Sequence, residues 1–343
     1  MILGGPDNVS KFYIPPHNKI NALNNKQLEQ KEFLNLSIIL NYIKIARIDH
    51  WFKNVFMLPG TALAISFANI PIWQTVWPTM LAVLSTCLIA SANYVINEWL
   101  DAEFDRHHPV KQYRPSVLGN LRKEYVYFEY GLLVAVGLSL ASLLTPEFFR
   151  FSVLLLVMGI IYNVRPLRTK DRLYLDVLSE SINNPLRLLL GWSALLAGTL
   201  PPSSILIAYW MGGAFLMTVK RYAEYRFIND PDRAELYRRS FRYYNEERLL
   251  LSSFFYGLSS AFFLGIFLIK YRIEFLLTFP LFALLFAWYL KIGMRPYSTT
   301  QNPEKLYREK AFVAYVIFLC CAVTALFFVD IPWLKFFMER VDY

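Results

Sequence analysis

The stretch from Asn97 to Asp105 has the side chains and the spacing for cation chemistry. Asn97, Asp101 and Asp105 recur every four residues, and Glu98 stands beside the first. On a helix, steps of four stack side chains on one face. Acids packed this closely repel one another unless a cation stands among them. Oxygen-only ligands suit Mg²⁺, which takes a few carboxylates and completes its shell with water or substrate phosphates. A basic run follows directly, with Arg106, His107, His108, Lys111 and Arg114. From spacing alone two readings stay open: a metal site, or a charged helix end facing water.

A second stretch runs from Tyr162 to Arg187. It carries Arg165, Arg168, Lys170 and Arg172 with Asp171 and Asp176. After Asp176 come Ser179, Glu180, Asn183, Asn184 and Arg187, at offsets of 3, 4, 7, 8 and 11, which again share one helix face. An Asp or Arg at the centre of a membrane span costs about 2.5–3.5 kcal/mol. Such groups must line a polar cavity or pair with one another, and a Glu180–Arg187 pair that only fixes packing is the competing account. Pro185 is expected to disturb this helix and free backbone groups. The two stretches echo each other. If their loops faced, they would form one site with metal-binding and phosphate-binding halves.

Two smaller groups complete the chemistry-bearing residues. Lys220, Arg221 and Glu224 lie together at the end of an apolar block. Cations there also serve as helix-dipole complements and headgroup anchors. The charged loop after them, Tyr225 to Arg248, is long enough to cover a cavity mouth. Arg47, Asp49, His50, Trp51, Phe52, Lys53 and Asn54 precede the first apolar block. Trp51 and Phe52 fit an aromatic belt and Lys53 can snorkel, so a membrane-interface role rivals a catalytic one. His50, His107 and His108 lack zinc-ligand spacing with Cys. No P-loop, Rossmann glycine pattern or nucleophile elbow is present.

The elements that must position these groups are membrane helices. Of the 343 residues, 56% are hydrophobic and 18% charged, and the apolar residues come in blocks. Nine spans are expected, near 53–71, 76–100, 124–144, 147–164, 175–198, 203–222, 249–269, 272–291 and 309–330. Before them, 31–48 reads as an amphipathic helix lying on the membrane, and 1–30 as a polar, flexible arm with no cleavable signal peptide. The expectation is an all-α membrane protein: one catalytic domain over 31–343, a bundle of about nine transmembrane helices with a cavity facing the cytoplasm. The basic residues behind the net charge of +9 cluster in the loops on one side, which the positive-inside rule assigns to the cytoplasm. The tail after 330 would then lie outside. The basic loops read as membrane-side and phosphate-binding groups, not as a nucleic-acid surface. Cys87, Cys320 and Cys321 lie in apolar runs and read as packing residues.

Taken together, these segments resemble the UbiA membrane prenyltransferase superfamily, helical bundles of about nine spans. Its first acidic motif, NDxxDxxxD, is matched by Asn97 to Asp105, with Glu98 in place of the first Asp. The second motif has Asp171 and Asp176 as candidates. Within the superfamily the chain is most similar to decaprenyl-phosphate phosphoribosyltransferases. The likeness is carried by RIDHWFKN at 47–54, DRHHPVKQYRPSVLG at 105–119, the Tyr162–Asp176 loop and KRYAE at 220–224, with PEKL at 303–306 as a weaker fifth.

The resemblance implies Mg²⁺-dependent transfer of phosphoribose from phosphoribosyl pyrophosphate to a polyprenyl phosphate, for cell-envelope glycan synthesis, in a bacterial plasma membrane. It implies Asn97, Glu98, Asp101 and Asp105 as metal ligands, and Asp101, Asp105, Lys220 and Arg221 as catalytic residues. The substrate-binding set is then Lys53, Lys111, Arg114, Tyr162, Arg165, Lys170, Asp176, Glu180, Asn184, Arg187 and Glu224. A homo-oligomer is compatible with the sequence. The runner-up activity is prenyl transfer to an aromatic acceptor. A third reading is a non-catalytic lipid-phosphate carrier, which would need charged groups opening to both faces.

Overall fold

The computed structural model describes residues 38–119, 121–271, 273–327, 329 and 331–334, and the regular structure among them is helical. The 1–30 arm and residues 31–37 of the expected interfacial helix lie outside the described residues, as does most of the tail after 330. Residues 38–45 are helical. Their end, with Ile45 and Ala46 buried, packs on Val95, Leu121 and Val126.

The first expected span is broken in two. A 3₁₀ segment, Ile48–Met57, leads into the short helix α1, Leu58–Ala68. Helix α2 spans Ile72–Asp105, α3 Lys123–Ala141 and α4 Pro146–Asn163. The fifth span is also broken, into α5, Leu175–Ser181, and α6, Asn183–Ser193. Pro185 accounts for the break: it lacks an N–H, and its ring crowds the carbonyl one turn earlier. Helix α7 spans Ser203–Ile228, and the short α8, Pro231–Tyr237, follows it. Helices α9, Glu246–Tyr271, α10, Phe279–Gly293, and α11, Lys310–Phe327, complete the bundle.

Among the described residues six helical segments are long and apolar enough to cross a membrane: α2, α3, α4, α7, α9 and Ile273–Gly293, which joins a 3₁₀ turn to α10. Lys310–Leu326 is a shorter apolar helix. With the two broken spans, each of the nine expected spans has a helical counterpart.

Two features set up the site. First, α2 has 34 residues, and at 1.5 Å per residue it is about 51 Å long, against a hydrocarbon core of about 30 Å. Its last turns, which carry the acidic stripe, therefore stand beyond the apolar layer. Second, α1 and α6 touch backbone to backbone. A Cβ on Gly60 would meet the Leu188 carbonyl oxygen at 2.0 Å, and one on Gly191 would meet that of Met57 at 2.0 Å. Small residues allow such approach where lipid supplies no hydrophobic drive between helices. The contact lays the polar start of α6 against the 3₁₀ segment that carries His50 and Lys53.

Candidate active site

The basic loops gather at one end of the bundle around a cavity of about 840 Å³. The acidic stripe forms one wall. Asn97, Glu98, Asp101 and Asp105 all line it, and each is held by a neighbour from another segment. Glu98, only 3% exposed, accepts from Arg47 Nη2 at 2.5 Å and Nε at 3.0 Å. Asp101 receives Lys170 Nζ at 2.5 Å and Arg168 Nη2 at 2.9 Å. Asp105 takes Arg114 Nη1 at 2.5 Å. Asn97 donates to Asn163 Oδ1, which also accepts from Lys170 at 2.7 Å. The two stretches that echo in sequence thus meet directly along one side of the cavity.

In this structure the expected metal ligands are paired with protein groups. Among the described residues no three His, Cys, Asp or Glu side chains gather at metal-binding spacing. Protein cations stand between the acids and keep them apart. Glu98 is committed to Arg47, and Asn97 to Asn163. The carboxylates of Asp101 and Asp105, a turn apart and lining the cavity, are paired as well, with Lys170, Arg168 and Arg114, and would serve a metal once those cations turn to substrate phosphates. Hard oxygen ligands of this number suit Mg²⁺ that shares its shell with phosphates, not an all-protein cage.

The opposite wall is built from the broken span and α7. Tyr162, Glu180, Asn183, Asn184, Arg187, Lys220 and Arg221 line it. Arg221 is buried and binds Glu180, Glu224 at 2.9 Å, and Tyr162 Oη at 3.3 Å. Arg187 donates through Nε to Asn54 Oδ1 at 2.9 Å and through Nη1 to the Asn183 carbonyl at 3.3 Å. Among the described residues Lys220 has no hydrogen bond or ion pair. Lys53 lies 3.1 Å from His50 Nδ1 and has no acidic partner within ion-pair reach. Two half-buried cations therefore enter the cavity without a carboxylate on them, and cations of that kind favour an anionic ligand.

Of the expected substrate-binding residues, Lys53, Lys111, Arg114, Tyr162, Lys170, Glu180, Asn184 and Arg187 line the cavity. Three do not. Arg165 is exposed, in the turn before the cis Pro166, and Arg168 reaches inward instead. Glu224, 1% exposed, stands behind the wall, where it fixes Arg221 and takes Lys111 Nζ at 3.0 Å. Asp176, 0% exposed, is likewise behind it, bound to Ser240 and Tyr244.

Other residues join the site unforeseen. Arg238, from the loop after α8, lines the cavity and donates to Tyr162 Oη at 3.4 Å. Its neighbours Tyr162, Tyr237 and Glu224 hold its guanidinium well above the usual range against the cost of burial. Asn163 and Arg168 bridge the two loops, and Glu304, from 303–306, comes within 3.5 Å of His50 Nε2. The charge density of the 225–248 loop is the only sequence signal for Arg238. His108 is pushed down to about 3, mainly by burial, and its Nδ1 accepts from the Val110 and Lys111 N–H groups. It is a loop cap with no metal-ligand geometry.

Known proteins place this architecture. A decaprenyl-phosphate phosphoribosyltransferase of Mycolicibacterium smegmatis is 28% identical over 198 residues, 55% of this chain and 58% of that protein. The chain thus spans little more than half the length of that relative. A 4-hydroxybenzoate octaprenyltransferase of Dechloromonas aromatica is 34% identical over 120 residues, 34% of this chain and 36% of that one. Among solved structures, a UbiA homologue from Archaeoglobus fulgidus bound to GPP and Mg²⁺ superposes with a TM-score of 0.63 at 21% identity, covering 84% of this chain and 100% of its own. The UbiA prenyltransferase family model matches residues 55–316. With that match over most of its length and the same helical fold, the chain is an integral membrane protein that belongs to the UbiA prenyltransferase family.

Proposed function

We propose that the protein transfers 5-phosphoribose from phosphoribosyl pyrophosphate to a polyprenyl phosphate and releases pyrophosphate. The supporting observation is the pair of carboxylate-free cations, Lys53 and Lys220, lining the same cavity as the acidic stripe. A donor with a diphosphate at one end and a phosphate at the other needs two anion sites. A prenyl diphosphate needs one, and then an apolar channel. Here the wall beyond the stripe carries Lys53, Asn183, Asn184, Arg187 and Lys220.

In this reading Asp101 and Asp105 would hold Mg²⁺, and Arg114, Arg168 and Lys170 turn from the carboxylates to the phosphate oxygens. Bound there, the metal would neutralise the leaving group and polarise its bond to carbon. Lys53, Lys220 and Arg187 receive the distal phosphate. An oxygen of the acceptor phosphate forms the new bond to the anomeric carbon. The bond from that carbon to the diphosphate breaks, and its electron pair leaves with pyrophosphate. The acceptor is already anionic, so no protein nucleophile is needed. Arg114 and Arg221 stabilise the charge that builds on the departing oxygens. The lipid tail leaves sideways between helices, and the product enters glycan assembly.

The likeness to a 4-hydroxybenzoate octaprenyltransferase supports a second reading, prenyl transfer to an aromatic acid. Purified protein in detergent, given labelled phosphoribosyl pyrophosphate and polyprenyl phosphate, decides between them. The expected result is a lipid-linked ribose phosphate formed only with Mg²⁺, with one pyrophosphate per product. No such product, together with turnover of a prenyl diphosphate and 4-hydroxybenzoate, would reverse the assignment.

A further inference from the structure

Asp176 and Glu180 stand four residues apart on α5, yet they serve different places. Glu180 faces the cavity. Asp176 is fully buried outside the lining, and both its oxygens are taken. Oδ1 accepts from the Tyr244 hydroxyl at 2.8 Å, and Oδ2 from the Ser240 hydroxyl at 3.1 Å. Arg221 Nε lies 3.6 Å from Oδ2. The Tyr244 hydroxyl also accepts from the Tyr174 N–H at 3.0 Å. Tyr174 sits at φ 61°, a conformation that bulky residues rarely adopt. One carboxylate and one phenol thus tie the loop after α8 to the start of α5.

The loop so tied carries Arg238, two residues before Ser240. Arg238 Nε is buried and has no hydrogen-bond partner, and its guanidinium makes no ion pair within 4 Å among the described residues. Arg221 Nε is likewise buried without a hydrogen bond, and Asp176 Oδ2 stands 3.6 Å from it. The two guanidiniums converge on one hydroxyl, that of Tyr162, at 3.3 and 3.4 Å. Glu180 and Glu224 already sit on Arg221, so Arg238 is the guanidinium at this point left to take an anion.

We propose that Asp176 is a positioning residue and not a metal ligand: through Ser240 and Tyr244 it fixes the 238–244 segment so that Arg238, with Arg221, grips the diphosphate of the donor. The proposal rests on the diphosphate half of the function above and not on the identity of the sugar.

The test is the binding of inorganic pyrophosphate with Mg²⁺ to the full chain in detergent, by calorimetry. The wild type binds. Tyr244→Phe and Ser240→Ala, both in the loop and outside the spans, each weaken binding by about tenfold. Arg238→Gln weakens it at least as much. The Tyr244→Phe/Arg238→Gln double variant is no weaker than Arg238→Gln alone, because the anchor acts through that arginine. The Mg²⁺ midpoint stays at the wild-type value in Tyr244→Phe and Asp176→Asn, and rises in Asp101→Asn. Trypsin cuts the 238–242 segment faster in Tyr244→Phe than in the wild type. Unchanged pyrophosphate affinity in Tyr244→Phe, additive effects in the double variant, or an Mg²⁺ requirement raised in Asp176→Asn as in Asp101→Asn would each overturn the proposal. So would a wild type that does not bind pyrophosphate. Pyrophosphate binding that follows this pattern, with no phosphoribosyl transfer, counts against the proposed reaction alone.

Discussion

At the scale of single residues, Lys170 gives the sharpest handle on the site. Burial pushes its ammonium down to about 8, with Arg168 adding to the fall and Asp101 opposing it. Below that pH the charge is present and can pass from Asp101 to a phosphate; above it the charge is lost. The ratio kcat/KM reports groups of the free enzyme. Its logarithm should therefore fall as the pH rises past about 8. Lys170→Arg, which keeps its charge, should shift that limb to higher pH even if its different shape lowers the rate at every pH. A limb that stays near pH 8 in Lys170→Arg assigns the titration elsewhere. The acidic stripe and Lys170, Arg187, Lys220 and Arg221 were legible in the sequence, because charges inside or beside apolar blocks must find partners or a cavity. Which bases of a crowded loop point inward was not. Arg165 and Arg168 look equivalent in sequence, and only the turn at Pro166 separates the exposed one from the buried one. Arg238 escaped for the same reason: it is one arginine of several in a polar loop, and contacts with α4 and α5 give it its place.

At the scale of elements, the contact between α1 and α6 decides whether the polar wall meets Lys53. Gly60 and Gly191 each face a backbone carbonyl across that contact. Gly60→Ala or Gly191→Ala should force the helices apart at a cost of about 1–3 kcal/mol. The readouts are a lower Tm in detergent and a raised donor KM. Gly131→Ala in α3 is the control. Its added methyl meets nothing within 4 Å, so Tm should hold or rise with the better helix propensity. A Gly191→Ala variant as stable as Gly131→Ala would show that the two backbones need not touch. Hydropathy located the spans well, since each apolar block maps to helix. It placed ends poorly where helix and apolarity part company. The apolar block at 76–100 ends where charges begin, while α2 runs on to Asp105, as the four-residue spacing of the acidic stripe requires, because its backbone bonds do not depend on side-chain polarity. Pro185 pointed to a disturbance in the fifth span, and the break falls four to two residues before it, between Ser181 and Asn183.

At the scale of the whole molecule, the bundle is charged at one end. Arg233 donates to the His107 carbonyl at 3.0 Å, Arg226 to the Met294 carbonyl at 2.9 Å, and Arg168 to Asp101 at 2.9 Å. Loops far apart in sequence therefore meet over one cavity, and a carrier open to both faces gains no support from this arrangement. The proposed donor is a soluble polyanion, so this end should face the cytoplasm, the side that the positive-inside rule favours for basic loops. Two exposed positions test it. Arg239 lies on the basic end, and Leu200 lies in the loop between α6 and α7 at the other. With Cys320 and Cys321 replaced by Ala and the buried Cys87 left in place, Leu200→Cys should react with a membrane-impermeant maleimide on intact cells. Arg239→Cys should react only in inside-out vesicles. Pyrophosphate with Mg²⁺ should slow labelling at Arg239→Cys, which adjoins Arg238, and leave Leu200→Cys unaffected. The reverse sidedness would put the cavity on the outer face, where a cytoplasmic phosphoribosyl donor could not reach it, and the proposed reaction would fall with it.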